Sequence, residues 1–315
     1  MSPIDSPNLQ TWPELYMANN ALRAKSVVMT LFGDVIRPHG GALWLGSLIR
    51  LLAPFGISDR LVRTSVFRLA EEGWLGAQRE GRRSLYTLKP AASRRFEYAY
   101  KRIYSPTYLA WEGRWTMVLA APGTLNTKQR ADMRKELHWE GFRATAPTAY
   151  VHPNPDIDML EEILIRAQIK DQVYVTTLTE SAVNAGRPLA DLITQCWELD
   201  TVIADYQRFI DWFSPLPELL RNSSTLDAEL AFVIRALLIH EFRRVQLHDP
   251  QLPIELLPTN WVGKIAYELC REIYQLTFEK AEHYILSILR LEDEHAPAAA
   301  PYFYERFGGL QGANS

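Results

Sequence analysis

Arginines in two neighbouring stretches of the chain have the type and spacing to bind nucleic acid. The first stretch, DRLVRTSVFRLAEEG, begins at Asp59 and holds its glutamates until its end, and the second, QREGRRS, spans residues 78–84. Guanidinium groups bind phosphate oxygens and pair with guanine in the major groove, so we expect these side chains to contact DNA. The arginines concerned are Arg60, Arg63, Arg68, Arg79, Arg82 and Arg83.

The distribution of charge along the chain favours this interpretation over the alternative that these arginines are solvated surface charges. The net formal charge is −3, but residues 20–104 hold 15 Lys and Arg against 6 Asp and Glu, a net charge of +9. Residues 105–315 hold 19 against 29, a net charge of −10. A basic segment joined to an acidic remainder is typical of proteins that bind nucleic acid or a membrane surface, and charge alone does not choose between the two.

The first arginine stretch is predicted to be a helix with one apolar and one basic face. Ser58 offers an N-cap hydroxyl, and Val62, Val66 and Leu69 repeat at spacings of four and three. The arginines fall on other faces of the same helix. This separation of apolar and basic residues suits a helix that lies in a major groove.

Position along the predicted helix and hairpin divides the DNA contacts by role. Arg63 and Thr64 lie one turn into the helix, where a recognition helix reads base edges. Residues 82–84 are expected to contact phosphate or the minor groove, and so to add affinity more than sequence choice. The predicted DNA-binding residues are Arg60, Arg63, Thr64, Phe67, Arg68, Arg79, Arg82, Arg83 and Ser84.

The surrounding segments predict a winged helix-turn-helix. Residues 21–36 have apolar side chains at helical spacing and are followed by Pro38 and two glycines, and residues 42–56 predict a short apolar entry and a second helix. Strand-forming residues at 74–75 and 85–88 flank the arginine-rich turn. Three helices followed by a hairpin with a basic tip is the winged-helix order.

The whole chain is predicted to have an α+β fold in four parts. Residues 1–20 are predicted to be a loose arm, and residues 21–104 the winged-helix DNA-binding domain. Strands and helices in the order β, α, β, α, β predict a ferredoxin-like domain at 105–188. Residues 189–315 are almost wholly helical in pattern and are predicted to form a C-terminal helical domain.

Seven motifs spread along the chain together resemble one bacterial family. They are GGALWLGSL at 40–48, RLVRTSVFRLAEEGWL at 60–75, GRRSLYTL at 81–88, WEGRW at 111–115, LLIHEFRRVQLHDPQLPIELLP at 237–258, W-x-G-x-x-A-x-x-L-C at 261–270 and RFGGL at 306–310. This set resembles the PaaX family, repressors of phenylacetic acid degradation genes. The resemblance implies an N-terminal winged helix, a central domain like the CRISPR-associated Cas2 proteins and a helical C-terminal domain. It also implies phenylacetyl-coenzyme A as the effector that releases DNA.

The segment HEFRRVQLHDP is the predicted effector-binding site. Arg243 and Arg244, with His240 beside them, would receive the phosphates of a coenzyme A thioester, while Trp261 or Tyr267 would hold its adenine or acyl part. The alternative is a network of salt bridges between domains. Neighbouring helical residues point about 100° apart, so both arginines reach one phosphate group only where the helix ends.

Signatures of catalysis and metal binding are missing from the sequence. An H-E-x-x-H motif would need histidine at Arg244, and no G-x-S-x-G, G-x-G-x-x-G or Walker loop occurs. A metal-dependent nuclease built on the Cas2-like domain would need an aspartate at the end of its first strand, but residues 119–122 are Leu-Ala-Ala-Pro. Cys196 and Cys270 are expected to be buried free thiols. We therefore expect no enzyme activity, no catalytic residue, no metal and no cofactor.

The function predicted from these features is a cytoplasmic transcriptional repressor without a membrane segment. It would bind a double-stranded DNA operator as a homodimer and leave it when an acyl-CoA binds, phenylacetyl-CoA or a related thioester. One alternative is a nonspecific architectural or RNA-associated protein without a small-molecule effector. A second is a thioester-handling enzyme with a DNA-binding appendage.

Overall fold

The chain divides into two compact units. The computed structural model describes residues 8–105, 111–179, 188, 191–224 and 226–311. Unit 1 comprises residues 1–106, 206–246 and 263–315, and unit 2 comprises residues 107–205 and 247–262. Most of the helical segment predicted as a separate C-terminal domain therefore lies in the same compact unit as the winged helix.

Seven strands in the described residues form two antiparallel sheets. They are β1 (Ala42–Trp44), β2 (Leu75–Glu80), β3 (Arg83–Leu88), β4 (Arg114–Ala120), β5 (Arg143–Ala146), β6 (Ala149–His152) and β7 (Val173–Thr179).

Helices make up most of the remaining structure. The α-helices are α1 (Trp12–Asn19), α2 (Ala24–Leu31), α3 (Leu45–Leu52), α4 (Asp59–Glu71), α5 (Pro90–Tyr104), α6 (Thr127–Trp139), α7 (Ile157–Arg166), α8 (Asp191–Cys196), α9 (Leu199–Phe213), α10 (Leu216–Arg221), α11 (Ala228–His248) and α12 (Val262–Leu289). A π-helical turn, Phe32–Ile36, continues α2, and 3₁₀ turns occur at Ala53–Phe55, Lys170–Gln172, Ile254–Leu256 and Pro301–Gly308.

Helices α2, α3 and α4 with the β2–β3 hairpin form the predicted winged helix in unit 1. The sheet order is β1-β3-β2, and β1 adds a third strand by pairing Leu43 with Tyr86. Val28, Leu48 and Val66, one from each helix, are fully buried, and α4 packs against both α2 and α3. The α+β fold with an N-terminal winged helix is confirmed.

Residues 8–20 pack against other parts of unit 1, so the prediction of a loose arm is wrong for them. Helix α1 places Trp12 and Tyr16 at 1% exposure, and their rings stack with centroids 5.2 Å apart. Trp12 Nε1 donates to the carbonyl of Trp212 at 3.2 Å, and its ring lies against Phe213 at 5.1 Å. The two buried aromatic rings hold this segment in place.

Unit 2 contains the ferredoxin-like sheet. Its order is β5-β6-β4-β7, with every neighbouring pair antiparallel, and the elements follow the chain order β, α, β, β, α, β. The second strand of the predicted order β, α, β, α, β, at residues 142–153, is instead a hairpin of two strands, because Pro147 interrupts the ladder between Ala146 and Ala149.

Alternating residues of β4 contribute to two different cores on opposite faces of this sheet. Val118 packs with Leu137 of α6 and Ile163 of α7 on one face, while Trp115 packs with Trp197 on the other. The period of two along a strand produces this division. The sheet is therefore covered on both faces within unit 2.

A cluster of ionised side chains is buried inside unit 1. Asp34, in the π-helical turn, accepts from Arg235 Nε at 3.0 Å and from Arg306 Nη1 at 2.9 Å, and all three side chains are at most 1% exposed. The hydroxyls of Tyr104 and Tyr274 donate to Asp34 Oδ1 at 2.6 and 3.0 Å. We call these residues, with Glu282 and His39, the buried ion cluster.

Glu282 and His39 complete this cluster. Arg235 Nη1 lies 2.5 Å from Glu282 Oε1, and His39 Nε2 lies 3.1 Å from Glu282 Oε2. Burial alone would raise the pKa of Glu282, but Arg235 and His39 hold it at about 2. The cluster therefore joins the winged helix to α11, α12 and the 3₁₀ turn near residue 306 by paired charges.

Candidate DNA-binding surface

Helix α4 presents the predicted basic face to solvent. Val62, Val66 and Leu69 are fully buried, and Ser65 is 5% exposed, so these four residues anchor the helix to the core. Phe67 is 59% exposed although it is apolar. A helix held on one face and open on the other has the shape that a major-groove reader needs.

The three arginines of α4 are exposed and make no ion pair with any residue that the structure describes. Arg60, Arg63 and Arg68 lie on the solvent side, whereas Glu72 at the end of the helix pairs with Lys25 at 2.5 Å. Their guanidinium donors are consequently open to a polyanion.

Two polar side chains of α4 differ in detail from their predicted roles. Ser58 occupies the N-cap position, but its hydroxyl makes no capping hydrogen bond. The Thr64 hydroxyl donates to the carbonyl of Arg60 at 2.9 Å, so its hydrogen is already used within the helix. Thr64 keeps its methyl group and its oxygen as an acceptor for a base contact.

The wing is a regular hairpin with Arg82 at its tip. Strands β2 and β3 pair from Leu75 with Leu88 to Glu80 with Arg83, and Gly81 takes the turn at φ +57°. A left-handed backbone favours glycine at this turn. Arg79 Nε donates to the carbonyl of Gly81 at 3.2 Å, and this bond braces the tip. Arg82 is exposed there, without a hydrogen bond to any described residue.

Arg83 and Ser84 are less available than their neighbours. The Arg83 guanidinium lies 4.3 Å from the ring centroid of Trp44, and its Nη1 donates to the carbonyl of Glu292 at 3.1 Å. Ser84 is half-buried in the ladder opposite Arg79. Arg83 therefore fixes the tip end of the wing to the segment after α12, an internal role that the sequence interpretation missed because the two residues are 209 positions apart.

The predicted effector residues on α11 are engaged in contacts within unit 1. His240 Nδ1 lies 3.0 Å from the Thr30 hydroxyl, and burial together with Arg243 and Arg244 lowers the pKa of His240 to about 3. Arg243 Nη2 donates to Ser26 Oγ at 3.0 Å. Arg244 Nη1 lies 2.7 and 3.0 Å from the two carboxylate oxygens of Glu241. These contacts resemble the salt-bridge network that the sequence offered as the alternative to an effector site. They lie within one unit, however, and not between domains.

The two aromatic members of the predicted effector site lie in different units. Tyr267 is 5% exposed in unit 1, where its ring packs against Phe242 and Phe307 at centroid distances of 6.4 and 5.6 Å. Trp261 is 4% exposed and belongs to unit 2. The effector role of these five residues stays a prediction, and each now has a structural contact or a buried position.

The part of the chain that the structure describes contains neither a candidate metal site nor a membrane-spanning helix. Among its residues, no group of three or more His, Cys, Asp and Glu side chains could hold a metal ion. No helix in the same residues is long and apolar enough to span a membrane. Cys270 is buried and Cys196 is half-buried, and both are free thiols.

Sequence reasoning also missed the buried ion cluster. One signal was present: Arg235 is a lone charge within the apolar run AFVIRALLI of α11. A buried arginine needs a buried partner, but nothing in the pattern identified Asp34, 201 positions earlier.

Three family profiles match this chain. The profile described as PaaX-like protein matches residues 23–92, the PaaX protein central Cas2-like domain matches 109–190, and the PaaX-like protein C-terminal domain matches 197–287.

Two known proteins are similar to the chain. It is 37% identical over 286 residues to the transcriptional repressor PaaX of Escherichia coli (strain K12), and the match covers 90% of each protein. Among solved structures, the uncharacterized protein Rv0674 from Mycobacterium tuberculosis has a TM-score of 0.51 and 24% identity, over 82% of this chain and 99% of that one. The second likeness shows the fold alone. With three profiles and a relative of this identity and coverage, the chain belongs to the PaaX family.

Proposed function

We propose that this protein is a DNA-binding transcriptional repressor of genes for phenylacetic acid degradation. The relative from Escherichia coli is named as a transcriptional repressor and is 37% identical over nearly its whole length. This chain would have the same role, because its winged helix has the surface that such a repressor uses.

The observation that carries the proposal is the open basic face of α4. Arg60, Arg63 and Arg68 point away from a fully buried apolar face, and none of them is neutralised by a described carboxylate. Surface arginines commonly pair with nearby acids, but here the carboxylates stay at the ends of the helix. When these arginines bind DNA phosphates, condensed counterions are released. The affinity for DNA should therefore fall as the salt concentration rises.

The proposed division of roles separates base reading from backbone binding. Arg63 would pair bidentately with guanine, a contact typically worth about 1–3 kcal/mol of discrimination. Arg82 at the wing tip would bind phosphate or the minor groove and add affinity for any sequence. The repressor would act as a homodimer on two half-sites about 34–36 Å apart.

The effector in this proposal is an acyl-CoA, with phenylacetyl-CoA the first to test. It would lower operator affinity by binding more tightly to a conformation in which the recognition helices no longer fit the operator. No catalytic step is included in this function.

A mobility-shift assay on the DNA upstream of the protein's own neighbouring genes tests the proposal. We expect a shift that a scrambled duplex of equal length competes poorly, and that phenylacetyl-CoA reverses while free phenylacetate does not. Equal binding to both duplexes would instead indicate a nonspecific architectural protein. Loss of the thioester during incubation would indicate an enzyme.

A further inference from the structure

A groove in unit 2 brings several cations together beside an exposed aromatic ring. It lies between helix α6 and the edge strand β5 with the turn that follows, and it has a volume of about 1010 Å³. We call it the α6–β5 groove. Its polar and aromatic lining includes Arg130, Arg134, Lys135, His138, Trp139 and Tyr150.

Helical spacing explains why these side chains share one face. Arg130, Arg134 and His138 follow at intervals of four, and Lys135 and Trp139 form the adjacent row. The acids of α6 fall on other faces, and Glu136 pairs with Arg166. Among the described residues that line the groove, none carries a carboxylate.

The cations of this groove contrast with the charge of the unit that holds them. Unit 2 contains nine Lys and Arg against sixteen Asp and Glu. Three other cations of the unit have carboxylate partners: Lys170 contacts Glu161 at 2.5 Å, Arg166 contacts Glu136, and Arg114 contacts Glu112. Arg130, Arg134 and Lys135 make no ion pair with the residues described in the structure. Unpaired cations grouped on an otherwise acidic unit create a local positive potential that attracts an anion.

Two further features indicate what kind of anion fits. Burial lowers the pKa of His138, and the positive charges of Arg143 and Arg134 lower it further against the opposing effect of Glu198. Trp139 is 57% exposed at the rim, where its indole offers a flat stacking surface. Phosphates and a planar ring, both present in a nucleotide, match these two parts of the groove.

The length of the groove favours a small ligand over a nucleic-acid strand. Residues 130–139 span about 14 Å of helix, and single-stranded nucleic acid binds along longer basic tracks with several aromatic rings. The volume lies near the upper end of the range for small-molecule pockets, about 300–1,000 Å³. By comparison, Arg243 and Arg244 on α11 already bind Ser26 and Glu241.

We propose that the α6–β5 groove binds the nucleotide part of the acyl-CoA effector. Arg130, Arg134 and Lys135 hold its phosphates, and Trp139 stacks on its adenine. This inference rests on the proposed function, since it assigns a site to the effector of that repressor.

Isothermal titration of the full chain with phenylacetyl-CoA tests the site. We expect Arg134→Ala and the Arg130→Ala/Arg134→Ala variant to raise Kd at least tenfold, and Trp139→Ala to raise it more than Trp139→Phe. Lys128→Ala is the matched control, because it removes one exposed charge from the same helix outside the groove. Since the side chains of Arg130 and Arg134 are exposed, their variants should melt at the temperature of the unsubstituted protein.

Operator binding without effector is measured on the same proteins, so that the two proposals fail separately. We expect the groove variants to bind the operator normally but to need at least tenfold more phenylacetyl-CoA for release. Unchanged Kd in both arginine variants, or a loss confined to Arg244→Ala, would overturn the groove while leaving the repressor intact. Tighter binding of a single-stranded oligonucleotide than of phenylacetyl-CoA or free coenzyme A would overturn it as well. Failure of the unsubstituted protein to bind the operator would instead refute the proposed function.

Discussion

Asp34→Asn is expected to destabilise unit 1 strongly, because it removes the central anion of the buried ion cluster. Asp34 accepts hydrogen bonds from Arg235, Arg306, Tyr104 and Tyr274. The amide has nearly the same shape but no charge. It would leave two buried guanidinium groups with Glu282 as their remaining carboxylate within the cluster.

The size of the effect follows from the cost of an unpaired buried charge. Removing one partner of a buried ion pair costs about 3–5 kcal/mol. For domains of 150 to 250 residues, each kcal/mol lowers Tm by about 2–4 °C, which predicts a decrease of about 6–20 °C. Tyr274→Phe removes a hydroxyl from the same cluster without leaving a charge unpaired, so its cost should be nearer 1 kcal/mol.

Thermal unfolding followed by circular dichroism measures these changes. Glu72→Gln is the control, because it breaks an exposed pair with Lys25 in the same unit, and such pairs contribute at most about 1 kcal/mol. We expect the highest Tm for Glu72→Gln, a lower one for Tyr274→Phe and the lowest for Asp34→Asn. If Asp34→Asn melted together with Glu72→Gln, the charges in the cluster would not be what holds these elements together.

Three other predictions concern DNA binding and pH. Arg63→Ala should abolish preference for the operator while sparing weak nonspecific binding, whereas Arg82→Ala should weaken all DNA similarly and reduce the salt slope by about one. Equal losses in a salt-titrated mobility shift would contradict that division. Arg83→Ala should lower operator affinity more than loss of one phosphate contact explains, because it also frees the wing from its internal contacts, and faster amide exchange in β3 would report this. His240, with its pKa lowered from 6.5 to about 3, stays neutral in the folded state while the unfolded chain takes up a proton. The contribution of His240 to the free energy of unfolding is therefore complete above the pKa of the unfolded state. This free energy falls by about 1.4 kcal/mol between pH 7.5 and 5.5. In urea unfolding at several pH values, His240→Asn should remove this part of the pH dependence, whereas His283→Asn, at an exposed position, should keep it. An equal slope of unfolding free energy against pH in the unsubstituted protein and both variants would show that His240 is not the group responsible.

Much of the winged helix is predictable from sequence, because local signals determine it. The apolar spacing of Val62, Val66 and Leu69 identified the buried face of α4, and the glycine at the wing tip identified the turn. The outward position of the arginines on α4 follows from the same periodicity. Local pattern and tertiary structure agree here, as expected of a well-folded sequence.

The features that were missed depend on contacts distant in sequence. Pairing of Arg83 with Glu292, or of Asp34 with Arg306, leaves no periodic pattern. The same applies to the α6–β5 groove, because the arginines of α6 line a groove only together with the edge strand β5. The arm at the start was misjudged for a related reason, since the partners of Trp12 lie 200 residues later.

The buried ion cluster also bears on the order in which a growing chain completes its fold on the ribosome. Asp34 is synthesised early, whereas Arg235 and Arg306 follow 201 and 272 residues later. Domains begin to fold as their residues leave the ribosome, but burying an aspartate has a high free-energy cost until the arginines that pair with it have been synthesised. We therefore expect the segment that carries the recognition helix to mature only when nearly the whole polypeptide has been translated. Incomplete chains would then be unable to bind the operator. They could therefore not occupy it in a form that the effector cannot release.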